Sequence, residues 1–325
     1  MSGPPAAVAA VRCDVRRALA DLEPGAHLLV ACSGGADSLA LAAATAFEAG
    51  AAGWLVGLIT VDHGLQDGSA ERAAAVADWA RDQGFEPVIV SMVRVEGEGG
   101  PEAAARRARF AAFDAAAAEH RAAAVLLGHT LDDQAETVLL GLVRGSGARS
   151  LAGMAERRGI YRRPLLRLSR DVVRTAGAAA GITPWEDPHN SDPAYGRVRI
   201  RTLLADVERA AGQGVAANLA RTARLLRADA DALDRLADNL RPGLTGDDGS
   251  LDVAGLAALP EAVRSRVIRA ALLAAGVPAG PLGAVHVESV GALVTDWHGQ
   301  GKVALPRGWG ADRRHDRLQV WRTGR

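Results

Sequence analysis

The stretch "HLLVACSGGADSLALAAATAFEAG", residues 27–50, decides how the chain folds. An apolar run, "HLLVAC" (27–32), reads as a buried strand. A turn of glycines, serines and an aspartate follows it, and a helical pattern leaves the turn and closes at Gly50. Glycines where a strand meets a helix let backbone N–H groups converge on an anion, and the helix dipole adds to the attraction. Ser33 and Ser38 offer hydroxyls to the same anion. Asp37 is the odd member, because a carboxylate beside phosphates repels them unless Mg²⁺ stands between. No lysine follows the second glycine, so the loop is not the GxxxxGK[ST] type. Ser33, Gly34, Gly35, Ala36, Asp37 and Ser38 are therefore expected to hold a magnesium-bound polyphosphate. Six matching positions in this context make a ligand-free tight turn the weaker alternative.

The pattern continues outward. "WLVGLITVDHG" (54–64), "FEPVIVSMVRV" (85–95) and "AAVLLGH" (123–129) read as further strands. Between them lie helical stretches at 69–84, opened by Ser69 and closed by Gly84, and at 101–120, with Pro101 at its start. "LDDQAETVLLGLV" (131–143) is the next helix. Apolar strands alternating with helices predict an α/β fold, a doubly wound and mostly parallel sheet covered on both faces. Ligands bind such sheets beyond the C-terminal strand ends. Cys32–Ser38, Asp62–His63 and Gly128–His129 all fall there.

After Asp206 the strand signal fades. Residues 217–240 read as a long polar helix with Leu219, Leu226, Leu233 and Leu240 seven apart. One packed stripe explains these better than a dimerising coiled coil, although a homodimer is compatible with the chain. "RPGLTGDDGS" (241–250) reads as a loop. The expected division is a catalytic domain at 1–215, a linker helix and loop at 216–250, and a smaller, mainly helical domain at 251–325. The last of these holds two helices and a terminal hairpin.

With 325 residues, 49% of them hydrophobic, the chain can bury a sizeable core. No apolar run approaches the roughly 18 residues a bilayer span needs, and the N-terminal stretch reads as a helix, not a signal peptide. Two cysteines, Cys13 and Cys32, are too few for a disulfide scaffold and favour a reducing cytoplasm. Basic and acidic residues balance, so no global field announces nucleic acid. Locally, nine arginines between Arg144 and Arg174 face only Glu156 and Asp171, a credible phosphate track. "RVRIR" adds Arg197, Arg199 and Arg201, on one face if extended.

His129, Asp132, Asp133 and Glu136 share one face at the start of the 131–143 helix. A second carboxylate there can hold Mg²⁺ beside Asp37, and another can attract a cation or accept a proton. The competing reading is that Thr130 and the first acids merely cap the helix. For His63 and His129 a phosphate or ribose contact fits better than metal ligation, since no cysteine or third histidine accompanies them.

"SGGADS" resembles the SGGxDS signature of the PP-loop ATP pyrophosphatases. Further blocks narrow the resemblance to the tRNA(Ile)-lysidine synthetase family: "VDHGLQ" (61–66), "PEAAARRARFAAF" (101–113), "GHTLDDQAETVLLGLVRGSG" (128–147), "RPLLRLSR" (163–170), "DPHNSDPAYGRVRIR" (187–201) and, more weakly, "LPRGWG" (305–310). His189 and Val198 depart from the pattern, where a small polar residue and an asparagine are expected. The resemblance implies a cytoplasmic, ATP- and Mg²⁺-dependent ligase. It would join free L-lysine to the wobble cytidine of the CAU-anticodon isoleucine tRNA through an adenylated cytidine, releasing PPi and AMP. It implies catalytic roles for Asp37, Arg106 and Asp133, with Asp37 and Asp133 at Mg²⁺. ATP would be held by residues 33–38, Asp62, His63, Gly128 and His129. Asp132, Asp133 and Glu136 become candidates for lysine or Mg²⁺, and Arg109, Arg144, Arg149, Arg197, Arg199 and Arg201 for tRNA. A tRNA thiolase of the same superfamily would need more cysteine chemistry. An NAD- or GMP-synthetase-like ligase would not need the arginine track. A non-catalytic tRNA-binding protein would not need an intact SGGADS loop and acidic face.

Overall fold

Leu28, Leu29 and Val30 alternate across a sheet, as the period of an extended chain requires. In the computed structural model, which describes residues 3–64, 68–96, 100–145, 147–185 and 196–322, all three are almost fully buried. Two compact units form, Met1–Leu225 and Leu226–Arg325.

In the first unit α1 (Ala6–Ala18) precedes β1 (His27–Ala31), α2 (Ala36–Ala52), β2 (Leu55–Asp62), α3 (Ser69–Asp82) and β3 (Val88–Met92). There follow α4 (Pro101–Glu119), β4 (Ala124–Leu127), α5 (Leu131–Val143), α6 (Ala148–Leu151), β5 (Arg157–Arg158), β6 (Tyr161–Arg162), α7 (Arg170–Ala179) and α8 (Gly196–Ala211). The sheet order is β3-β2-β1-β4-β6-β5, parallel except at β5. Leu28, Val30 and Leu58 pack with α1, α2 and α7, while Leu29 and Ile59 meet Phe113, Ala116 and Ala117 of α4. Each such fully buried side chain contributes about 2 kcal/mol of transfer free energy. The chain builds β2 and β3 on one side of β1 and then returns to place β4 on the other. A crevice opens beyond the strand ends where the order reverses.

Several element ends differ from the sequence reading. Gly50 stays inside α2, which stops at Gly53, where φ is 71° and the backbone N–H reaches Ala49 O. Ser69 does not cap α3; left-handed Gly68 does, and the Ser69 hydroxyl goes to Asp62. The 197–201 segment is not extended but lies in α8. Helical spacing therefore puts Arg197 and Arg201 on one face and turns Arg199 away.

α9 (Val215–Leu244) crosses the division and continues through Pro242, ending inside the expected 241–250 loop. Its C-terminal part stays helical because Leu233, Ala237 and Leu244 are built into the core of the second unit. That unit adds β7 (Leu251–Asp252), α10 (Val253–Ala257), α11 (Glu261–Ala274), α12 (Ala284–Thr295), β8 (Val303–Leu305), β9 (Trp309–Arg314) and β10 (Arg317–Arg322). The terminal hairpin is β9–β10, and it sits within a four-stranded antiparallel sheet of order β7-β10-β9-β8. Leu256, Ile268, Leu272, Val290 and Leu293 fill the space beneath.

Candidate active site at the ends of β1 and β4

The 33–38 turn is held open by its own side chains. Ser38 Oγ accepts from the Ser33 N–H at 3.2 Å and donates to Gly35 O at 2.9 Å. Gly34 takes φ +80°, and a Cβ there would lie 2.9 Å from Val76 Cγ2. A Cβ on Gly128, at the end of β4, would lie 3.1 Å from Ser38 Cα, so β4 approaches α2 at backbone distance. Gly35 caps α2 without any side-chain bond, and the first helical bond runs from Leu39 N to Gly35 O. The preceding amides of a 17-residue helix thus have no helical acceptor. They face a cleft of about 900 Å³, an electrostatic setting that suits a phosphate chain.

The cleft is lined by every residue of the turn except Gly34, together with Asp62, His63, Gly128, His129, Asp133 and Glu136. Gly34 lies behind the lining, and its carbonyl accepts from the Trp185 N–H at 3.1 Å. Three buried atoms of this set have no hydrogen-bond partner: Asp37 Oδ1, His63 Nδ1 and His129 Nδ1. Burial pushes the Asp37 carboxyl up to about 6, against the pull of Arg170 and with a further push from Asp133. Burial also holds His63 and His129 below the usual imidazole value, so both rings are neutral acceptors or donors at pH 7. Asp62 is held low by the Ser69 hydroxyl and the Gly64 amide.

The acidic face divides. Asp132 does not line the cleft: its Oδ2 accepts the Arg170 backbone N–H at 2.7 Å, tying α5 to the start of α7. Asp133 both caps and faces the cleft. Thr130 and Asp133 form a reciprocal capping box, with Asp133 Oδ2 taking the Thr130 N–H at 2.7 Å. Burial raises Asp133, but Arg170 and the Thr130 donors together hold it below the ordinary carboxylate value. Glu136 is buried and receives Arg201 Nε at 2.8 Å and Arg170 Nη2 at 3.3 Å.

The arginines sort differently from the sequence reading. Arg109 lines the cleft with Phe110 and Phe113, whereas the Arg106 guanidinium lies over the Phe110 ring, 4.9 Å from its centroid. Arg197, Val198 and Arg201 reach the cleft and Arg199 does not. Arg144 and Arg149 are exposed and lie outside it. The 144–174 track is open only in part: Arg144, Arg149, Arg157, Arg158 and Arg174 are exposed, but three others are engaged within the fold. Arg162 is buried on Asp21 and Ala18 O, Arg163 is buried on Ala155 O, and Arg167 pairs with Glu156. Sequence reasoning missed Arg72 and Trp185 and counted Arg170 and Arg174 only within the arginine track; all four line the cleft. Arg72 stacks on Trp185 at 4.3 Å. A signal existed for Arg170. It is the first residue of a helix capped by Ser169, where a positive charge opposes the dipole and needs compensation. His189 lies outside the described residues.

Comparison with known proteins agrees with this geometry. A PP-loop domain matches residues 10–208, and a TilS substrate binding domain matches residues 251–319. The tRNA(Ile)-lysidine synthase of Thermobifida fusca is 58% identical over 97% of this chain and 98% of its own length. The enzyme of the same name from Streptomyces coelicolor is 51% identical over 98% and 99%. Among solved structures, a U34-tRNA thiolase from Methanococcus maripaludis, with its 4Fe-4S cluster, superposes with TM-score 0.56. It shares 18% identity and covers 68% of this chain and 79% of that one, a likeness of fold alone. No helix among the described residues is long and apolar enough to cross a membrane.

Proposed function

The chain belongs to the tRNA(Ile)-lysidine synthase family, and we propose that its cleft joins free L-lysine to the wobble cytidine of the CAU-anticodon isoleucine tRNA. The observation that carries this reading is a juxtaposition. A helix start with no side-chain cap, suited to phosphates, lies beside an unpartnered Asp37 oxygen and, across Arg170, the carboxylates Asp133 and Glu136. One half suits a nucleotide and the other suits a cationic amine.

The reaction divides accordingly. The α2 amides and the Ser33 hydroxyl grip the phosphates of ATP, while Ser38, its hydroxyl proton given to Gly35 O, holds the turn open for them. The cytidine, unstacked to enter, attacks the α-phosphate through its 2-carbonyl oxygen, and PPi leaves. His129, neutral, and the Arg109 guanidinium both line the cleft, and they are assigned to donating to the charge that develops as the base meets the phosphate. The lysine ε-amine, drawn to Glu136, then attacks the activated carbon and gives up a proton, and AMP leaves. Asp37 fits a Mg²⁺ ligand, because its Oδ1 is buried and unpartnered. When bound, the ion neutralises phosphate charge at that point. Among the described residues no trio of acids, histidines or cysteines converges to hold a metal. Such an ion would therefore lean on phosphate oxygens and water. Arg197 and Arg201 at the cleft, and the unit from Leu226 onward, are assigned to holding tRNA in the cytoplasm.

The test is PPi release that requires the isoleucine tRNA, with labelled lysine entering RNA and AMP as co-product. Methionine tRNAs should not respond. ADP formation, or entry of sulfur or ammonia in place of lysine, would overturn the assignment.

A further inference from the structure

Three carboxylates from two helices converge on one guanidinium. Arg170 Nη2 lies 3.0 Å from Asp133 Oδ1 and 3.3 Å from Glu136 Oε1, and its Nε lies 3.8 Å from Asp37 Oδ2. The side chain is only 14% exposed. Its backbone is fixed too: the Arg170 N–H donates to Asp132 Oδ2, and two residues earlier Leu168 O accepts the Leu131 N–H. The guanidinium therefore projects from a point clamped to α5, the helix that carries two of its three acids.

We propose that Arg170 is a positioning residue that apportions these carboxylates, and that Asp132 acts through it. Its Nη2 alone engages one oxygen of Asp133 and one of Glu136, while Nε of the same plane stands off Asp37 beyond hydrogen-bond range. The other Asp133 oxygen goes to the Thr130 amide and hydroxyl. What remains for incoming cations is Asp37 Oδ1 on the phosphate side and Glu136 Oε2 on the amine side. Among the described residues no hydrogen bond falls on Glu136 Oε2. One fixed cation thus separates the carboxylate that would meet Mg²⁺ from the carboxylate that would meet the substrate amine, and orients both. A lysine substitutes poorly, since an ammonium on a flexible stem has no rigid plane to hold one nitrogen between Asp133 and Glu136 while another faces Asp37. The inference rests on the reading of the cleft as an ATP- and lysine-binding site.

The experiment uses the full chain with Arg170→Lys, Asp132→Ala and the double variant. Calorimetry measures free lysine and Mg·ATP binding without tRNA, and steady-state PPi release gives kcat and the KM for lysine. Arg170→Lys should weaken lysine binding and raise its KM by about tenfold or more, with kcat falling less, because a charge is kept and a geometry lost. Mg·ATP binding should change less than lysine binding. Asp132→Ala should act in the same direction and more weakly. The double variant should be no worse than Arg170→Lys, as expected of two residues acting through one group. Lysine binding by a folded Arg170→Lys chain equal to the parent's would overturn the proposal, as would additive effects of the two substitutions. So would a loss of melting temperature with the lysine KM unmoved, the mark of a structural role alone. If Arg170→Lys does not fold, Asp132→Ala decides by the same KM criterion. A parent chain that binds neither Mg·ATP nor lysine would overturn the reading of the cleft and this inference with it.

Discussion

Two helices, α2 and α5, begin at the same edge of the same sheet, one after β1 and the other after β4. Both carry aspartate in the first turn, and Asp37 from one and Asp133 from the other line the cleft. Their starts are nevertheless opposite. At α5 the Thr130–Asp133 box closes the helix on itself, so Asp133 Oδ2 is spent on backbone and hydroxyl. At α2 a glycine caps the helix with no side-chain bond, and Asp37 Oδ1 is buried without a partner. A first-turn acid therefore says little by itself, since capping explains it equally well. What separates a structural terminus from a binding one is whether its donors and acceptors are already satisfied. An unsatisfied buried oxygen costs stability in the empty protein and gains it back only with a ligand.

The largest expected effect lies at the open terminus. Asp37→Asn should lower PPi release on the order of a hundredfold or more, as for loss of a placed electrostatic group, while the melting temperature stays level or rises. The pH dependence follows from the sign of the shift. Folding raises this carboxyl from 3.8 to about 6, so its favourable protonated contribution is complete below 3.8 and is lost as pH rises through 6. The gap in melting temperature between variant and parent should thus widen in the variant's favour over that window. A destabilised Asp37→Asn chain, or one with near-parental turnover, would break the contrast.

The closed terminus should behave the other way. Thr130→Val removes the cap acceptor within a fully buried site and should cost about 1 kcal/mol of stability. Thermal unfolding should fall by a few degrees, with PPi release reduced much less than by Asp37→Asn. Loss of turnover without loss of stability would move Thr130 into the chemistry and erase the distinction.

A smaller effect sharpens the comparison at the cleft's rim. Arg197→Ala should weaken tRNA binding a fewfold and make the salt dependence shallower by about one unit, the signature of one lost phosphate contact. Arg199→Ala, two residues on in sequence and off the cleft, should change neither quantity measurably. Equal effects would favour an extended 197–201 segment in the bound state over the α8 helix seen here.

Much of this was legible without coordinates. Residues 131–143 read as a helix and form one, because an apolar period of 3.6 between a threonine cap and a run of leucine and valine is local information. The doubly wound sheet was legible for the same reason. Strand and helix each declare themselves within a dozen residues, and short right-handed connections leave few ways to assemble them. The arginines were not legible. Arg162 faces Asp21, 141 residues away in the chain, so a charge count over 144–174 could not see that the track is partly neutralised and buried. "RVRIR" alternates like a strand, yet Ile200 and Leu204, both buried, give α8 a helical face to cover.

The sequence by itself determined the sheet, the phosphate turn and the set of residues at the strand ends, because backbone geometry and polar periodicity act over short spans. Only the tertiary structure decided which acids are spent and which are available. Asp132, Asp133 and Glu136 are near neighbours on one helix, but Arg170 and Arg201 reach them from α7 and α8, about 30 to 70 residues on. Partners brought together by folding, and partly shielded from water, fix the orientation of each carboxylate.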